Sequence, residues 1–356
     1  MSRYAVLVAG GTGGHINAAI ALGERLSAQK FEVSYLTGQR PLDYKLFAKL
    51  PVDHLASWPL RTKNPIKLLS SLVHNFLVFL KIFKSFQAKR PQFVVGAGGY
   101  VCGPTLLAAK LQGIPVFIFE QNAVLGLTNK LLARLSTVIF THFRDTQGIP
   151  VSLSSKVRVV GNPTRSAIAY TPERTTDGQL RVLVFGGSLG ATQINDLVGE
   201  WVQRDQTGPV TVIHQTGQDQ QPRFVAGKNV TYQPTKYLDN IQEQYAWCDV
   251  LIARAGASTV AELRIVRKPC FLIPFPQATD NHQWWNAIRY RDEVDYTVDV
   301  VEPRAPRSEI AERLAAFLTT AKEGSLRTSQ ITPLAVDSGE VALREIFRHV
   351  GTVQKN

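Results

Sequence analysis

A short run near the amino terminus, GGTGGH at residues 10–15, combines four glycines with a hydroxyl and an imidazole. Glycines let backbone N–H groups approach a ligand closely, and the start of a helix attracts negative charge, so the run predicts an anion site. Histidine titrates near neutral pH, which suits a general base, and His15 would stand beside the anion. Two alternatives stay open: a tight turn without a ligand, and a histidine that only makes hydrogen bonds. The spacing matches neither the GxGxxG dinucleotide fingerprint nor the P-loop.

Polar loops follow several other apolar runs. They are GAGGYVCGP (96–104), EQNAVLGLTNK (120–130), ARAGASTVAEL (253–263) and PQATDNHQWWNA (276–287). The first is a second candidate phosphate cradle, and the carboxylate, two amides and Thr128 of the second suit sugar hydroxyls. In the third, Ser258 or Thr259 followed by Glu262 is either a capping box or a phosphate-binding helix start whose Glu262 accepts hydrogen bonds from a ribose diol. The fourth carries the Asp, Asn, His and Gln side chains that are typical of polyol sites.

The strands and helices that must position these loops form a repeated pattern. The apolar run at 4–9 predicts a buried strand, and helical periodicity begins at Ile16. Residues 181–197, RVLVFGGSLGATQINDL, repeat the strand, glycine turn and helix, with Ser188 in the turn. Alternating strands and helices predict parallel sheets with helices on both faces. We therefore expect an α/β protein of two doubly wound, Rossmann-like domains that face each other across a cleft, with ligands at the carboxyl ends of the strands.

The remaining strands and the domain boundary follow from the same pattern. Further strands are predicted within 92–100, 114–122, 136–143, 157–165, 210–217, 229–235, 248–256 and 269–276. The Asn162-Pro163 pair favours a turn, so the first domain is predicted over 1–161 and the second over 162–337. A final helix over about 338–356 is expected to pack back on the first domain.

Composition limits the class of protein and its partners. The 356 residues suggest two domains, and 44% hydrophobic with 19% charged residues is typical of globular proteins. The three cysteines lack CxxC spacing and histidine partners, which argues against a disulfide framework or a zinc site and indicates a reducing compartment. A strand that begins at Tyr4 leaves no room for a signal peptide, so we expect a cytoplasmic chain. The net charge of +12 indicates an acidic partner: nucleic acid, anionic lipid or a phosphorylated substrate.

Residues 60–90 favour the lipid among those partners. The stretch has no carboxylate and seven basic residues: Arg61, Lys63, Lys67, Lys81, Lys84, Lys89 and Arg90. Its apolar side chains outnumber those that one buried helix stripe needs, yet polar residues interrupt the run, so it looks too short and too wet to span a membrane. The stretch predicts a helix in the membrane interface, and the alternative is a core helix with a solvated basic edge. The membrane contacts are predicted at Leu72, Phe76, Phe79, Lys81, Phe83 and Lys84.

Seven motifs together resemble one family. GGTGGH, GAGGYVCGP, EQNAVLGLTNK, GNPTR, GGSLGA, QYAWCDVLIARAGASTVAEL and DNHQWWNA occur in the order found in the MurG transferases of glycosyltransferase family 28. The resemblance runs from Val6 to about Ala287. It implies a GT-B fold and inverting transfer of N-acetylglucosamine from UDP-N-acetylglucosamine to the C4 hydroxyl of the N-acetylmuramyl sugar of lipid I, which gives lipid II. It also implies no cofactor or obligatory metal, and a peripheral protein on the cytoplasmic face of the inner membrane.

The resemblance also implies roles for single residues. His15 matches the candidate base. Donor-binding positions are matched by Thr12, Gly13, Gly14, Asn122, Arg165, Ser188, Leu238, Ala257, Ser258, Thr259, Val260, Ala261, Glu262 and Gln283. The acceptor diphosphate would meet Gly14, Gly98, Gly99 and Tyr100. Two features depart from the family: Arg267 replaces a helix-ending glycine, so that turn is expected to take another geometry, and Trp284 with Trp285 is bulky beside Gln283.

The partners implied are thus UDP-N-acetylglucosamine, undecaprenyl-linked lipid I and an anionic membrane surface, and not nucleic acid. Two other classes remain open. A GT-B transferase or epimerase with a soluble acceptor would keep the carboxyl-terminal loops but would not need the stretch at 60–90. A non-catalytic membrane scaffold would keep the fold and lose the donor residues, which this sequence retains.

Overall fold

The computed structural model of the chain describes residues 3–60, 62, 64–165, 167–170, 178–187, 190–217, 224–329 and 337–351. Ser188, Arg61 and Lys63 of the sequence predictions lie outside the described residues. The chain divides into two compact units: unit 1 comprises Met1–Arg165 with Ala335–Asn356, and unit 2 comprises Ser166–Leu334. The first division falls after Arg165, whereas the boundary predicted from the sequence lies after residue 161.

Unit 1 is built on a parallel sheet. Its described strands are β1 (Tyr4–Val8), β2 (Glu32–Thr37), β3 (Val52–His54), β4 (Phe93–Gly96), β5 (Val116–Glu120), β6 (Val138–Thr141) and β7 (Val157–Val159). Its described helices are α1 (Gly13–Ala28), α2 (Pro41–Phe47), α3 (Pro65–Ala88), α4 (Cys102–Leu111), α5 (Leu127–Leu132), α11 (Ser338–Val350) and a 3-10 turn at Val151–Lys156. The strand order is β3-β2-β1-β4-β5-β6-β7, so the direction of winding reverses between β1 and β4.

Both faces of this sheet are covered. Strand β1 is buried along its whole length, and Val6 lies between Ser34 of β2 and Val94 of β4. Such two-sided burial explains its continuous apolar run. Helices α1 and α11 pack on one face, while α3 and α4 pack on the other. Arg25 of α1 binds the carboxylate of Asp337 at 2.7 Å, and the same carboxylate caps α11, which fixes the final helix to unit 1.

Unit 2 repeats the architecture. Its described strands are β8 (Leu180–Phe185), β9 (Val210–Gln215), β10 (Val230–Thr235), β11 (Val250–Ala253), β12 (Cys270–Leu272) and β13 (Val298–Val300). Its described helices are α6 (Thr192–Val202), α7 (Ile241–Trp247), α8 (Ala257–Val266), α9 (His282–Glu293), α10 (Arg307–Lys322) and a 3-10 turn at Thr279–Asn281. The order β10-β9-β8-β11-β12-β13 places the reversal between β8 and β11, and every strand pair is parallel.

The predicted fold class, two parallel-sheet α/β domains, is confirmed. Each strand predicted from an apolar run is present, whereas β2, β3 and β13 were not predicted. One detail was wrong. Helix α1 begins at Gly13 and not at Ile16, so Gly13 and Gly14 belong to the first helical turn. The N–H groups at the start of a helix lack intrahelical partners, so this earlier start keeps them in the predicted anion site.

A buried histidine connects α6 to the edge of the sheet in unit 2. His214 of β9 has no exposed surface, its Nε2 lies 3.0 Å from Oδ1 of Asn195, and the hydroxyl of Tyr232 lies 2.8 Å from its Nδ1. An amide oxygen can only accept, so Nε2 carries the proton and Nδ1 accepts from the tyrosine. Burial lowers the pKa of His214 to about 3, because the charged ring would lose its hydration.

This burial predicts an acid-sensitive unit 2. In the unfolded chain His214 binds a proton below pH ~6.5, whereas the folded chain resists it down to its lowered pKa. Stability present above the unfolded pKa is therefore lost as pH falls, by up to about 1.4 kcal/mol per pH unit. Denaturation midpoints between pH 7.5 and 4.5 should fall more steeply for wild type than for His214→Gln, whose amide can replace both hydrogen bonds. Parallel curves would contradict this origin of the pH dependence.

Candidate functional site

The candidate site of unit 1 lies at the carboxyl edge of its sheet, where the chain leaves β1 and β4 toward opposite faces. Thr12 caps α1, and its hydroxyl accepts the N–H of His15 at 3.4 Å. No acidic residue occupies the first turn of α1. The loop 10–14 therefore brings a helix amino terminus and His15 to the reversal point of the sheet, where open α/β sheets bind ligands.

The backbone fixes the orientation of the His15 ring. Its Nδ1 lies 3.0 Å from the carbonyl oxygen of Gly10. A carbonyl can only accept, so Nδ1 carries the proton, and in the neutral ring the basic lone pair belongs to Nε2. Gly98 lies against the ring, because a Cβ at that position would come within 2.8 Å of Nε2. The imidazole is thus held between two glycine loops with its basic nitrogen defined.

The second glycine loop interlocks with the first. Gly98 and Gly99 have φ values of +110° and +92°, a region that residues with a side chain rarely adopt. The N–H of Gly10 donates to the carbonyl of Gly98 at 3.1 Å, and a Cβ at Gly99 would overlap the carbonyl of Gly10. Tyr100 follows directly and is half-buried. The structure therefore brings His15 and Gly10 together with Gly98 and Gly99, while Gly14 and Tyr100 are their neighbours in the chain. The role of this group toward the acceptor diphosphate stays a prediction.

The loop after β5 depends on a buried carboxylate. Glu120 is 1% exposed and accepts from the N–H and Nδ2 of Asn122, from the N–H of Gly126 and from Nδ2 of Asn129, all at 2.9–3.1 Å. Gln121 is also buried and donates to the carbonyl of Ala97 at 2.7 Å. The prediction that this carboxylate suits sugar hydroxyls is therefore wrong, since its oxygens bind the protein. Glu120 instead orients Asn122, the predicted donor contact.

The second glycine turn, in unit 2, is tied to the loop that follows β10. Gly187 and Gly190 have positive φ, and α6 begins at Thr192. The amide of buried Gln215 donates to the carbonyl of Gly187 at 2.7 Å and accepts the N–H of Leu238 at 2.9 Å. A backbone group of Leu238 is predicted to contact the uracil. Its N–H already donates to Gln215, so the carbonyl is the backbone group that could bind the base. Gln215 was missed from sequence, because nothing in its spacing marks a bridge between two loops.

The start of helix α8 excludes one of the two interpretations that the sequence left open for Ser258, Thr259 and Glu262. The helix begins at Ala257 after Gly256, and no side chain caps it, so the capping-box interpretation is wrong. Ser258 and Thr259 lie inside the first turn, followed by Val260 and Ala261. Glu262 is 8% exposed and accepts the hydroxyl of Tyr245 at 2.7 Å. The helix start therefore remains an anion site in principle, with a carboxylate held one turn away.

The loop before α9 positions Gln283. Asp280 and Asn281 both adopt the left-handed conformation without being glycine, with φ of 53° and 54°. Strain of this kind often accompanies functional sites. Oε1 of Gln283 accepts the N–H of Phe275 at 2.9 Å, so its amide nitrogen is the end available to a ligand. Trp284 and Trp285, which follow Gln283 directly, are partly exposed.

A buried arginine binds the chain that leads into the loop before α9. Arg254 donates to the carbonyls of Ile273 and Pro274 at 3.0 and 3.1 Å and to Oε1 of Gln193 at 2.9 Å. Burial lowers the pKa of Arg254 to about 10, which still leaves the guanidinium charged at neutral pH. Arg254 therefore links the start of α6 to the chain that leads to Phe275.

Arg267 corrects another prediction. It adopts the left-handed conformation itself, with φ of 57°, so the turn keeps the geometry for which a glycine is usual. Its guanidinium binds Asp295 at 2.6 Å and Ser329 at 2.7 Å and lies 5.6 Å from the ring centroid of Tyr296. These contacts offset the backbone cost, which is of the order of 1 kcal/mol for a non-glycine residue.

Helix α3 is longer and more apolar than the sequence argument assumed. It has 24 residues and by length and composition alone is able to cross a membrane, so the statement that it is too short was wrong. Its packing gives the better argument: Val78, Ile82 and Phe86 are buried in the core of unit 1. A helix anchored in this way along its carboxyl-terminal half lies on its domain.

The exposed apolar surface of α3 lies toward its amino-terminal half. We call it the α3 face; it consists of Ile66, Leu69, Leu72, Val73, Phe76, Leu77 and Leu80, which are 38–78% exposed. Phe79 and Phe83 are partly buried and pack against the core, so these two predicted membrane contacts belong mainly to unit 1 itself. Lys81 and Lys84 are exposed beside the face.

Two further features bear on the donor site. Arg165 closes unit 1, although it was predicted among the donor residues of the second domain. A cavity of about 690 Å³ in unit 2 is lined by Leu180, Pro209, Val250 and Pro269, at the amino ends of the strands. None of the predicted donor residues lines it. Among the described residues, no three His, Cys, Asp or Glu side chains gather as a metal site.

Comparison with known proteins identifies the same two halves. Residues 5–141 match the glycosyltransferase family 28 N-terminal domain, and residues 181–330 match the family's C-terminal domain. The chain is 35% identical over 300 residues to a Shewanella oneidensis protein named UDP-N-acetylglucosamine--N-acetylmuramyl-(pentapeptide) pyrophosphoryl-undecaprenol N-acetylglucosamine transferase, covering 79% of this chain and 80% of that protein. A Myxococcus xanthus protein of the same name is 36% identical over 294 residues, covering 79% and 76%.

A solved structure agrees with these relatives. The crystal structure of Acinetobacter baumannii MurG superposes with a TM-score of 0.72 at 26% identity, covering 96% of this chain and 99% of that chain.

The contacts of Glu120 predict a sharp loss of stability on a nearly isosteric change. Glu120→Gln should lower the free energy of unfolding by about 2–4 kcal/mol, because an amide nitrogen would face donors that now reach a buried carboxylate. Thermal melting of the full chain measures this, with Glu24→Gln as a control for removing an exposed carboxylate. Equal melting temperatures for the two variants would show that Glu120 does not hold the loop.

Proposed function

The chain belongs to glycosyltransferase family 28, and on that premise we propose that it transfers N-acetylglucosamine from UDP-N-acetylglucosamine to the C4 hydroxyl of the N-acetylmuramyl sugar of lipid I, which gives lipid II. Two curated relatives, at 35% and 36% identity over most of their length, bear the name of that reaction. The observation that carries the proposal is the His15 ring, whose Nδ1–H is bound by the Gly10 carbonyl beside the two glycine loops.

The proposed chemistry at His15 is a single displacement. Nε2 takes the proton of the C4 hydroxyl while the C4 oxygen forms a bond to the anomeric carbon of N-acetylglucosamine. The bond from that carbon to the diphosphate oxygen breaks, and the electron pair leaves with UDP, so the configuration inverts. The Gly10 carbonyl supports the imidazolium that results, because it accepts the other ring proton throughout.

We assign the donor to unit 2. The departing diphosphate would be stabilised by the amino terminus of α8, with Ala257, Ser258, Thr259, Val260 and Ala261, and by Ser188. Glu262 would bind the ribose diol, and its carboxylate is oriented for this by Tyr245. The amide nitrogen of Gln283 would bind the sugar, and the backbone carbonyl of Leu238 the uracil. Asn122 and Arg165, the other predicted donor residues, belong to unit 1.

We assign the acceptor to unit 1, with its diphosphate at Gly14, Gly98, Gly99 and Tyr100. A polyprenyl-linked acceptor requires the protein to work at a membrane surface, and the α3 face with its flanking lysines suits an anionic one. Peripheral attachment at the cytoplasmic face of the cell membrane is therefore part of the proposal. The second candidate, a GT-B enzyme with a soluble acceptor, gives no reason for seven large apolar side chains to stay exposed on one helix.

The first experiment tests transfer and the base together. The purified chain should release UDP from UDP-N-acetylglucosamine when given a lipid I analogue and should form a disaccharide. His15→Ala should lower turnover by ~10²–10⁴-fold with little change in donor KM, and the acidic limb of the pH–rate profile should disappear. His349→Ala is the control, since that exposed ring lies on α11, which carries no predicted site residue, and bonds the carbonyl of Glu345. A His15 variant that keeps most of its turnover would refute the base, and no disaccharide from wild type would refute the function.

The second experiment tests the membrane surface. Leu72→Ser with Phe76→Ser should reduce binding to anionic liposomes by about tenfold or more, because two side chains that are 50% and 59% exposed would no longer enter the interface. UDP binding and melting temperature should persist. Val151→Ser with Val159→Ser is the matched control, since it removes two exposed apolar side chains from another part of unit 1.

Charge provides a second arm of that experiment. Lys81→Glu with Lys84→Glu should weaken liposome binding most at low salt, since each basic residue contributes about 1 kcal/mol at an anionic surface. Unchanged co-sedimentation in both pairs of variants would assign the α3 face another role and would favour the soluble acceptor.

A further inference from the structure

A cation without an assigned role stands beside the first glycine loop. Arg40 precedes α2, and its backbone N–H donates to Oδ2 of Asp43 at 3.0 Å. The other oxygen of this fully buried carboxylate accepts the N–H of Gly11 at 3.3 Å. One carboxylate therefore fixes the backbone of Arg40 relative to the loop that delivers His15.

The guanidinium of Arg40 is held beside the same loop, and most of its N–H groups form no hydrogen bond within the described part of the chain. One of its nitrogens donates to the carbonyl of Gly11 at 3.2 Å, and its carbon lies 5.2 Å from the ring centroid of Tyr100. The side chain is exposed, and it forms no ion pair with any residue in the described part of the chain. Four of its five N–H donors thus remain for a ligand.

We propose that Arg40 binds the diphosphate of the acceptor, an inference that rests on the proposed function. A guanidinium presents its donors in a planar fork that suits phosphate oxygens, and it stays charged at every relevant pH. The contacts to Gly11 and Tyr100 hold this fork at the edge of the two glycine loops. The loops supply backbone N–H groups without charge, and Arg40 supplies the positive charge that a diphosphate needs. Arg40 would therefore determine specificity for diphosphate-linked acceptors.

The competing explanation is that Arg40 only supports the loop at Gly11. In that case its loss would disturb His15 and would lower kcat. A binding role would instead raise the KM for the acceptor and leave both kcat and the donor KM in place. Arg40→Lys separates these further, because it keeps the charge and loses the fork.

The test uses the full chain with a soluble short-chain lipid I analogue. Arg40→Gln should raise the acceptor KM by about 10- to 100-fold, with the KM for UDP-N-acetylglucosamine, kcat and melting temperature unchanged. Arg40→Lys should recover part of the loss. Lys110→Gln, an exposed lysine on α4, is the matched control for removing one positive charge. An unchanged acceptor KM, or a fall in kcat that Arg40→Lys does not reverse, would overturn the inference.

A binding measurement separates this inference from the reaction itself. Geranyl diphosphate is titrated calorimetrically into chain saturated with UDP, so that the donor site is filled. Wild type and Lys110→Gln should bind the diphosphate, and Arg40→Gln should bind it at least tenfold more weakly. Equal affinities would overturn the role of Arg40 even if transfer is observed. A loss confined to Arg40→Gln would support the anion site even if wild type failed to transfer the sugar.

Discussion

The carbonyl of Gly10 is the contact on which the site of unit 1 depends. It accepts the Nδ1 proton of His15 at 3.0 Å, and its neighbouring N–H donates to Gly98 at 3.1 Å. Because Gly99 has no Cβ, the second loop can lie against this carbonyl, and the two loops hold each other in place. A single backbone group therefore sets the tautomer of the ring and the position of the second loop. The strand order explains why they meet, since β1 and β4 are neighbours at the reversal point of the sheet.

In unit 2, buried side chains instead of a backbone carbonyl hold the candidate binding segments in position. Gln215 bridges Gly187 and Leu238, Arg254 binds the chain before Phe275, and Tyr245 orients Glu262. Gln215 and Arg254 connect loops that follow different strands, and Tyr245 connects α7 to α8, so segments far apart in sequence are held together. Most of these groups are buried, where hydrogen-bonded polar groups are costly to remove and therefore hold their geometry. The left-handed residues Asp280 and Asn281 add strain at the same edge.

Much of the fold was predictable because it rests on local patterns. Apolar runs bounded by glycine identified most strands, and their alternation with helices gave the parallel class. The short edge strand β3, with its single valine, has no such run, and β13 is equally short. Patterns of spacing also identified His15 and the glycine loops as candidate site residues. They could not reveal Gln215, Arg40 or the buried state of Glu120, because those depend on contacts between loops distant in sequence. Arg267 is the opposite case. The rule that a glycine ends such a helix failed there, because an ion pair and a ring contact offset the cost of the left-handed backbone.

The account requires His15 to present Nε2 as its basic nitrogen, and the tautomer can be measured directly. Long-range proton–nitrogen NMR on the full chain with labelled histidine, compared with His15→Gln to assign the signal among seven histidines, reports which nitrogen carries the proton. Above its pKa, we expect the His15 ring to be protonated at Nδ1 and unprotonated at Nε2. A ring protonated at Nε2 would place the basic lone pair against the Gly10 carbonyl, and it would contradict both the observed contact and the proposed role.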